Sequence, residues 1–255
     1  MLKRERQDYL LSLLKAEGVI RISELVPKVA SSMMTIRRDL DEMESRGLLT
    51  RIHGGAVLAK ESKKDSLQPS FQQRMEEHIK EKKHIARLAA RMVENGDILY
   101  LDGGTTPYLM LDFIDPDICF TVITTALMTA TKASSFSNAN VICIGGSIHK
   151  SSYSTTGTIA IENIDKFHAN KAFISTKAFA LPLGCYEADM NLIETKKAIV
   201  RNADEIILLA DFSKFSGKSL CPSVTLSSIN KVVTDAATDA NILKTLTDKG
   251  IEVVK

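Results

Sequence analysis

The sequence has no long hydrophobic run. Its densest, residues 206–210, is far shorter than the roughly 20 apolar residues a membrane helix needs, so no membrane partner is expected. The opening MLKRERQDYL has no apolar core of a signal peptide, which points to a cytoplasmic protein. Cysteine is sparse. Cys119, Cys143, Cys185 and Cys221 stand far apart, with no CxxC pair and no Cys/His cluster at metal-ligand spacing. That argues for reduced thiols and against a disulfide scaffold or a metal site. Neither a GxGxxG turn nor a P-loop lysine occurs, so no nucleotide cofactor is expected. A strong excess of one charge is lacking too: the formal net charge is +2, and nothing in that total demands nucleic acid. Residues 1–58 carry ten Lys/Arg against eight Asp/Glu, and residues 59–83 seven against five. The small basic excess therefore sits in the amino-terminal third, and any DNA affinity must come from placement of charge rather than its amount.

What is present describes an ordinary globular chain of one or two domains, with 255 residues, 44% hydrophobic and 25% charged. Residues 32–51, SMMTIRRDLDEMESRGLLTR, organise the first part. Ser32 suits a helix N-cap, because its hydroxyl can accept a free first-turn N–H. Ile36, Leu40 and Met43 recur at helical spacing and mark one buried stripe. Gly47 stands where a left-handed C′ residue would close the helix. Thr35, Arg37 and Arg38 fall on or beside the exposed face, and arginine forks match phosphate oxygens and guanine edges. Residues 48–52 and 56–58 then read as a hairpin around Gly54-Gly55, a wing behind a recognition helix. Upstream, a helix is expected over 2–17 with Leu10, Leu13 and Leu14 inward, then a short strand at 19–22. A second helix follows, capped by Ser23, with Pro27 one turn in and some distortion expected there. Residues 59–79 are polar and serve as a linker.

From Lys80 the pattern changes. A helical stripe through Ile85, Leu88, Ala89, Met92 and Val93 leads to an apolar strand ending in Asp102-Gly103-Gly104-Thr105-Thr106. Backbone N–H groups of such a glycine turn, with threonine hydroxyls, can hold an anion; a ligand-free tight turn is the plain alternative. The arrangement recurs. Strands at 120–123, 141–144, 171–174 and 206–209 end at Thr124-Thr125, Gly145-Gly146-Ser147, Ser175-Thr176-Lys177 and Ala210-Asp211. Short strands are also expected at 232–233 and 251–254. Apolar strands alternating with helices imply a mostly parallel α/β sheet, whose ligands bind beyond the carboxyl ends of its strands.

The segments T-I-R-R-D-L and G-L-L-x-R-x-H-G-G-A, extended back through Arg6-Gln7-Asp8-Tyr9-Leu10 and Ile22-Ser23-Glu24-Leu25, closely resemble the DNA-binding domain of DeoR-type bacterial transcriptional repressors. L-D-G-G-T-T (101–106), I-G-G-S (144–147), Lys196-Lys197 and L-A-D-F-S-K-F (209–215) resemble the effector-sensing domain of the same family. The resemblance implies a winged helix-turn-helix domain at 1–58, and at 80–255 a Rossmann-like sensor domain similar to ribose-5-phosphate isomerase. It implies a DNA-binding regulator of a carbohydrate operon, most simply a repressor, that is released by a phosphorylated sugar or sugar acid. Ser32, Met34, Thr35, Arg37, Arg38, Arg51 and His53 are the expected contacts to double-stranded operator DNA. Asp102, Gly103, Gly104, Thr105, Thr106, Thr124, Gly145, Gly146, Lys177, Lys196 and Lys214 are the expected effector site. No catalytic residue and no cofactor are implied. A homo-oligomer is, since paired half-sites need paired recognition helices.

The chain departs from the family in places. Family members commonly read D-S-G-T-T where Gly103 stands, and T-N-S where Thr124-Thr125-Ala126 stands. Residues 175–180 read STKAFA instead of G-A-D-G-I-D, which removes two carboxylates and introduces Lys177. Moving a proton, as a sugar-phosphate isomerase must, needs a positioned acid or base, and this substitution argues against that chemistry. The alternative, an isomerase-like enzyme with an accessory domain, would have to draw on Asp102, Glu187, Asp189, Glu194 or Asp211. Lys177 beside Lys196 and Lys214 would suit an effector more anionic than a neutral sugar monophosphate.

Overall fold

The structure is a computed structural model that describes residues 2–29, 31–46, 48–52, 54–58 and 69–255. The chain divides into two compact units, Met1–Leu67 and Gln68–Lys255.

The first unit comprises α1 (Lys3–Glu17), β1 (Val19–Arg21), α2 (Ile22–Val29), α3 (Met33–Ser45), β2 (Leu49–Ile52) and β3 (Gly55–Leu58). Its three strands form an antiparallel sheet in the order β1-β3-β2. Leu10, Leu14, Ile20, Leu25, Ile36, Leu40 and Met43 pack into one core, so the stripe marked at helical spacing does face inward. Helix α2 starts at Ile22, which leaves Ser23 inside its first turn rather than at its cap. The N–H of Ile22 donates to the Gly54 carbonyl at 2.9 Å, so the wing supplies what a cap would have. Pro27 lies within α2. Two glycines of the wing have separate reasons. Gly54 has φ +79°, and a Cβ on Gly55 would lie 2.1 Å from the Ile20 carbonyl oxygen, so β1 pairs with β3 only over glycine. Gly47 lies outside the described residues.

The second unit opens with α4 (Phe71–Glu76) and α5 (Ile79–Ala90). Residues 69–79, read as the end of a linker, therefore belong to this unit's fold. Next come β4 (Ile98–Leu101), α6 (Thr105–Met110), β5 (Phe120–Thr124), α7 (Leu127–Ala133) and β6 (Ala139–Cys143). They are followed by β7 (Ser147–His149), β8 (Ser154–Thr156), α8 (Thr158–Ile164), β9 (Ala169–Ile174), β10 (Ala178–Ala180), β11 (Gly184–Glu187), α9 (Met190–Arg201) and β12 (Ala203–Leu209). The chain ends in β13 (Cys221–Thr225), β14 (Lys231–Val233), α10 (Ala240–Asp248) and β15 (Glu252–Val254).

Seven strands form one sheet in the order β15-β14-β12-β9-β4-β5-β6, and every pairing in it is parallel. Alternation along the strands separates its two faces. Tyr100, Ala172, Ile174, Ile206 and Leu208 pack toward Ala160, Ile164, Ala198 and Ile199 of α8 and α9. Leu99, Leu101, Phe173, Ile207 and Leu209 pack toward Ile85, Ala89, Leu109, Met110 and Ala133 of α5, α6 and α7. A sheet buried on both faces is why these strands read as unbroken apolar runs. Strands β4, β5 and β6 are laid down in one direction and β9, β12, β14 and β15 in the other. The β4–β9 gap is thus a topological switch point, where α/β sheets place ligands. A β7–β8 hairpin and a small antiparallel sheet β10-β11-β13 complete the unit.

Candidate functional site

In the first unit, α3 begins as its sequence dictates: the Thr35 N–H donates to Ser32 Oγ at 3.2 Å, and the two hydroxyls lie 2.9 Å apart. With Ile36, Leu40 and Met43 turned inward, Arg37 and Arg38 are exposed. Met34 is 72% exposed and Met33 48%. Exposed methionines at the start of a helix beside two exposed arginines suit contact with thymine methyls and phosphates. Met33 was not among the expected contacts, and it is exposed beside Met34. The aspartate of T-I-R-R-D-L is structural. Buried Asp39 accepts from Arg6 Nε at 2.5 Å and ties α3 to α1, which explains why Arg6 belongs to the motif. Arg51 is also committed within the unit. Its guanidinium bonds Asp41 and donates to the carbonyls of Gly55 (3.2 Å) and Arg37 (3.3 Å). It clamps the wing to α3. His53 lies outside the described residues.

In the second unit the loops after β4 and β9 meet across the switch point. Asp102 accepts from the Ser175 N–H at 3.0 Å and from Ser175 Oγ at 2.8 Å. Lys196, on α9 and only 4% exposed, reaches under both loops. Its Nζ lies 3.2 Å from Asp102 Oδ2, donates to the Ser175 carbonyl at 2.5 Å and bonds Glu187. Burial presses the Asp102 carboxyl upward, yet Lys196 and the Ser175 donors outweigh it and leave its pKa lowered. For Glu187 burial wins over Lys196, and its pKa is raised. Lys196 itself is held more firmly protonated: burial works against the charge, but Asp102 and Glu187 outweigh it. Gly104 makes this meeting of loops feasible, since a Cβ there would lie 2.2 Å from Ser175 Oγ.

A pocket opens over this cluster. Of the expected effector residues, Asp102, Gly103, Gly104, Thr105, Thr106, Lys177, Lys196 and Lys214 line it. Thr124, Gly145 and Gly146 do not. Thr124 is fully buried, donates to the Leu101 carbonyl at 2.6 Å and accepts the Ala126 N–H at 3.0 Å, so it staples strand ends while Thr125 takes the lining position. Gly146 is pressed against α8, where a Cβ would lie 2.9 Å from the Ala160 methyl. Lys177 is exposed at the rim, and Lys214 Nζ stands 3.9 Å from buried Asp211.

The pocket also has walls that the sequence reading did not assign. Arg74 on α4 lines it, and its Nε and one Nη are buried with no hydrogen-bond partner among the described residues. Burial lowers the Arg74 pKa against the pull of Asp102 and Glu187. Lys82 on α5 lines it too. Burial and the nearby Lys214 bring its pKa down to about 8, and its ammonium bonds the Arg74 carbonyl. Ser152 and Ser154 add two buried hydroxyls. The P-S-F-x-x-R phrase at 69–74 and the Lys80–Lys83 run were the available signals for the cations. The hydroxyls gave none. Among the described residues no group of three His, Cys, Asp or Glu could hold a metal ion, and no helix is long and apolar enough to cross a membrane.

A winged helix whose recognition helix exposes Arg37 and Arg38, in one chain with an α/β unit holding a polar pocket at its switch point, defines a DNA-binding transcriptional regulator with a sensor domain. Comparison makes this specific. Residues 6–62 match the model of the DeoR-like helix-turn-helix domain, and residues 77–236 that of the DeoR C terminal sensor domain. The chain belongs to the DeoR family. It is 34% identical to the uncharacterized HTH-type transcriptional regulator YulB of Bacillus subtilis (strain 168), over 99% of this chain and 96% of that protein. It is 32% identical to the HTH-type transcriptional regulator IolR of the same organism, over 92% and 91%. It is 27% identical to the glycerol-3-phosphate regulon repressor of Escherichia coli (strain K12), over 99% of each. Among solved structures, ribose 5-phosphate isomerase A of Methanocaldococcus jannaschii covers 52% of this chain and 53% of its own at 16% identity and a TM-score of 0.40. A likeness at that level stops short of an argument about fold, and the family match carries the assignment.

Proposed function

We propose that this regulator is a repressor of a carbohydrate-utilisation operon, and that a phosphorylated sugar or sugar acid bound in the sensor pocket releases it from its operator. The observation that carries the reading is the Arg74 guanidinium, with two buried nitrogens unpaired among the described residues, inside a pocket that also holds the Gly103-Gly104 turn, Thr105, Thr106, Lys82 and Lys214. A phosphate would satisfy those donors; empty, they cost free energy. Arg37, Arg38, Thr35 and Met34 read the operator, and the protein acts as a homo-oligomer on paired half-sites. A relative named as the glycerol-3-phosphate regulon repressor supports both the direction of control and the chemistry of the signal.

Gel-shift titration of the full chain on the promoter fragment beside its own gene, with and without a panel of sugar phosphates, tests this. Specific binding released by one compound is the expected result; specific binding that no panel member alters removes the effector assignment. The isomerase-like reading has one observation in its favour, the raised pKa of Glu187 at the pocket wall, a usual property of a proton donor. Incubating the same panel with the protein and finding no turnover disposes of it.

A further inference from the structure

One wall of the pocket is a wired chain of side chains that the reading above does not use. His149, at the end of β7, has three neighbours: its Nδ1 lies 2.7 Å from Ser152 Oγ, with Ser151 Oγ more distant at 3.4 Å, and its Nε2 lies 3.4 Å from Asp189 Oδ2. Ser152 Oγ is in turn 2.5 Å from Ser154 Oγ. Both serines are buried and line the pocket, while histidine and aspartate stand behind them. Tyr153, between the serines, has φ +50°, and the Leu127 N–H bonds its carbonyl at 2.9 Å, which holds this turn against α7.

Asp189 stands 3.4 Å from Nε2, a charge contact that favours the proton of the neutral ring on that nitrogen and leaves Nδ1 as the acceptor. Ser152 then donates its O–H to Nδ1, and Ser154 donates its O–H to Ser152. Every hydroxyl proton is used within the chain, and only lone pairs are left for a ligand. Gly103 keeps this wall open, since a Cβ at that position would lie 3.3 Å from Ser154 Oγ. The serine that family members commonly carry there is absent, and the hydroxyl beside the glycine turn comes from Ser154 instead.

We propose that the Ser154–Ser152–His149–Asp189 chain is the specificity subsite of this pocket, and that it selects an effector whose far end is a neutral hydroxyl donor over the corresponding sugar acid. The inference rests on the pocket being a sugar-phosphate site. Charge balance points the same way. Arg74, Lys82, Lys177, Lys196 and Lys214 face Glu77, Asp102, Glu187 and Asp211 in the lining, a surplus of one positive charge. A phosphate monoester, at roughly −1.5 to −2, already exceeds that surplus, so a second carboxylate would meet both uncompensated charge and a wall of acceptors. Lys177, which taken alone favours an acidic effector, stands exposed at the rim, where solvent weakens its pull.

The test is calorimetric titration of the full chain at pH 8 with matched pairs that differ only in a terminal CH2OH or carboxylate. The pairs are glycerol 3-phosphate with 3-phosphoglycerate, ribitol 5-phosphate with 5-phosphoribonate, and glucitol 6-phosphate with 6-phosphogluconate; inorganic phosphate is the reference. In the pair that binds best, the alcohol should bind about tenfold tighter than the acid, the worth of one or two hydrogen bonds. Ser152→Ala and His149→Ala should each bring the pair within about threefold while leaving inorganic phosphate affinity unchanged, a pattern that simple misfolding cannot produce. Equal or tighter binding of the acid by the unaltered protein overturns the subsite and leaves the phosphate site standing. So does a Ser152→Ala protein that loses phosphate and polyol phosphate in equal measure. Failure of every compound, inorganic phosphate included, overturns the sugar-phosphate reading itself.

Discussion

Replacing Lys196 with methionine should destabilise the sensor unit more than any other single change at the pocket. The side chain is 4% exposed, and its ammonium is shared by Asp102, Glu187 and the Ser175 carbonyl. Methionine fills the volume and removes the charge. Asp102 keeps its two Ser175 donors, so Glu187 takes most of the loss: a carboxylate already raised by burial loses its cation. Removing one partner of a buried pair costs about 3–5 kcal/mol, a large share of an ordinary domain's stability. The pH dependence distinguishes this from a packing defect. A carboxylate whose folded pKa is raised contributes stability below its unfolded pKa and loses it as pH rises through the folded value. The deficit of the variant should therefore be greatest at pH 7 and above and shrink as pH falls toward 4.5, the ordinary glutamate value. Glu187→Gln combined with Lys196→Met should recover about half of the loss, since an amide needs no counter-ion. The chain has no tryptophan, so urea unfolding is followed by circular dichroism, with hydrogen exchange of the β9 and β12 amides as the local probe. A deficit below about 1 kcal/mol at pH 7, or one that does not change with pH, would refute the reasoning.

Three further outcomes follow. Arg37→Ala with Arg38→Ala should weaken operator binding and lower the slope of log affinity against log salt by about two, read by fluorescence anisotropy; an unchanged slope removes both as phosphate contacts. Gly104→Ala drives a methyl into Ser175 Oγ, so it should break the Ser175–Asp102 bonds, cost about 1–3 kcal/mol and weaken phosphate binding. Lys82 has its pKa lowered from 10.5 to about 8, so the folded state holds fewer protons than the unfolded between those values. Stability should thus rise with pH from about 8 to 10.5, by up to about 1.4 kcal/mol per unit, and Lys82→Met should flatten that rise.

How much of this was legible beforehand depended on where the information lay. The inner strands β4, β5, β9 and β12 are buried toward their carboxyl ends and write themselves as apolar runs, which is why those ends, and with them Asp102, Gly104, Thr105 and Thr106, could be placed from sequence. The short antiparallel pairs were invisible. Ser154–Thr156 and Ser147–His149 carry small hydroxyls and no alternation strong enough to mark a strand, so the Ser152–Ser154 wall was missed with them. Gly145-Gly146 looked like a second phosphate turn, but neither lines the pocket and Gly146 serves close packing on α8, a use that sequence cannot separate from anion binding. The tie of Arg51 to Asp41 depends on a hairpin folding back, which periodicity does not encode. Arg74 lies in what reads as linker and Lys82 in a run of charges that opens a helix, and the meaning of both comes only from tertiary placement in the pocket.

Charge in the pocket is divided between two kinds of site, and the division bears on how a ligand could act. Lys196 is saturated: two carboxylates and a carbonyl claim it, so an incoming anion gains little from it beyond a fixed positive floor. Arg74 is the opposite case, with buried guanidinium nitrogens that no described residue satisfies. A ligand shifts an equilibrium only by its differential affinity for the two states, and a preformed, satisfied group contributes equally to both. The differential term must come from groups that gain partners when ligand arrives. Arg74 is such a group. It sits on α4, within the first residues of the unit that begins at Gln68, and Lys82 bonds its carbonyl. An anion that draws in the Arg74 guanidinium therefore acts on the stretch of chain through which the sensor unit is joined to the residues before it. Lys196, deep in the fold on α9, could be bound as tightly and transmit nothing.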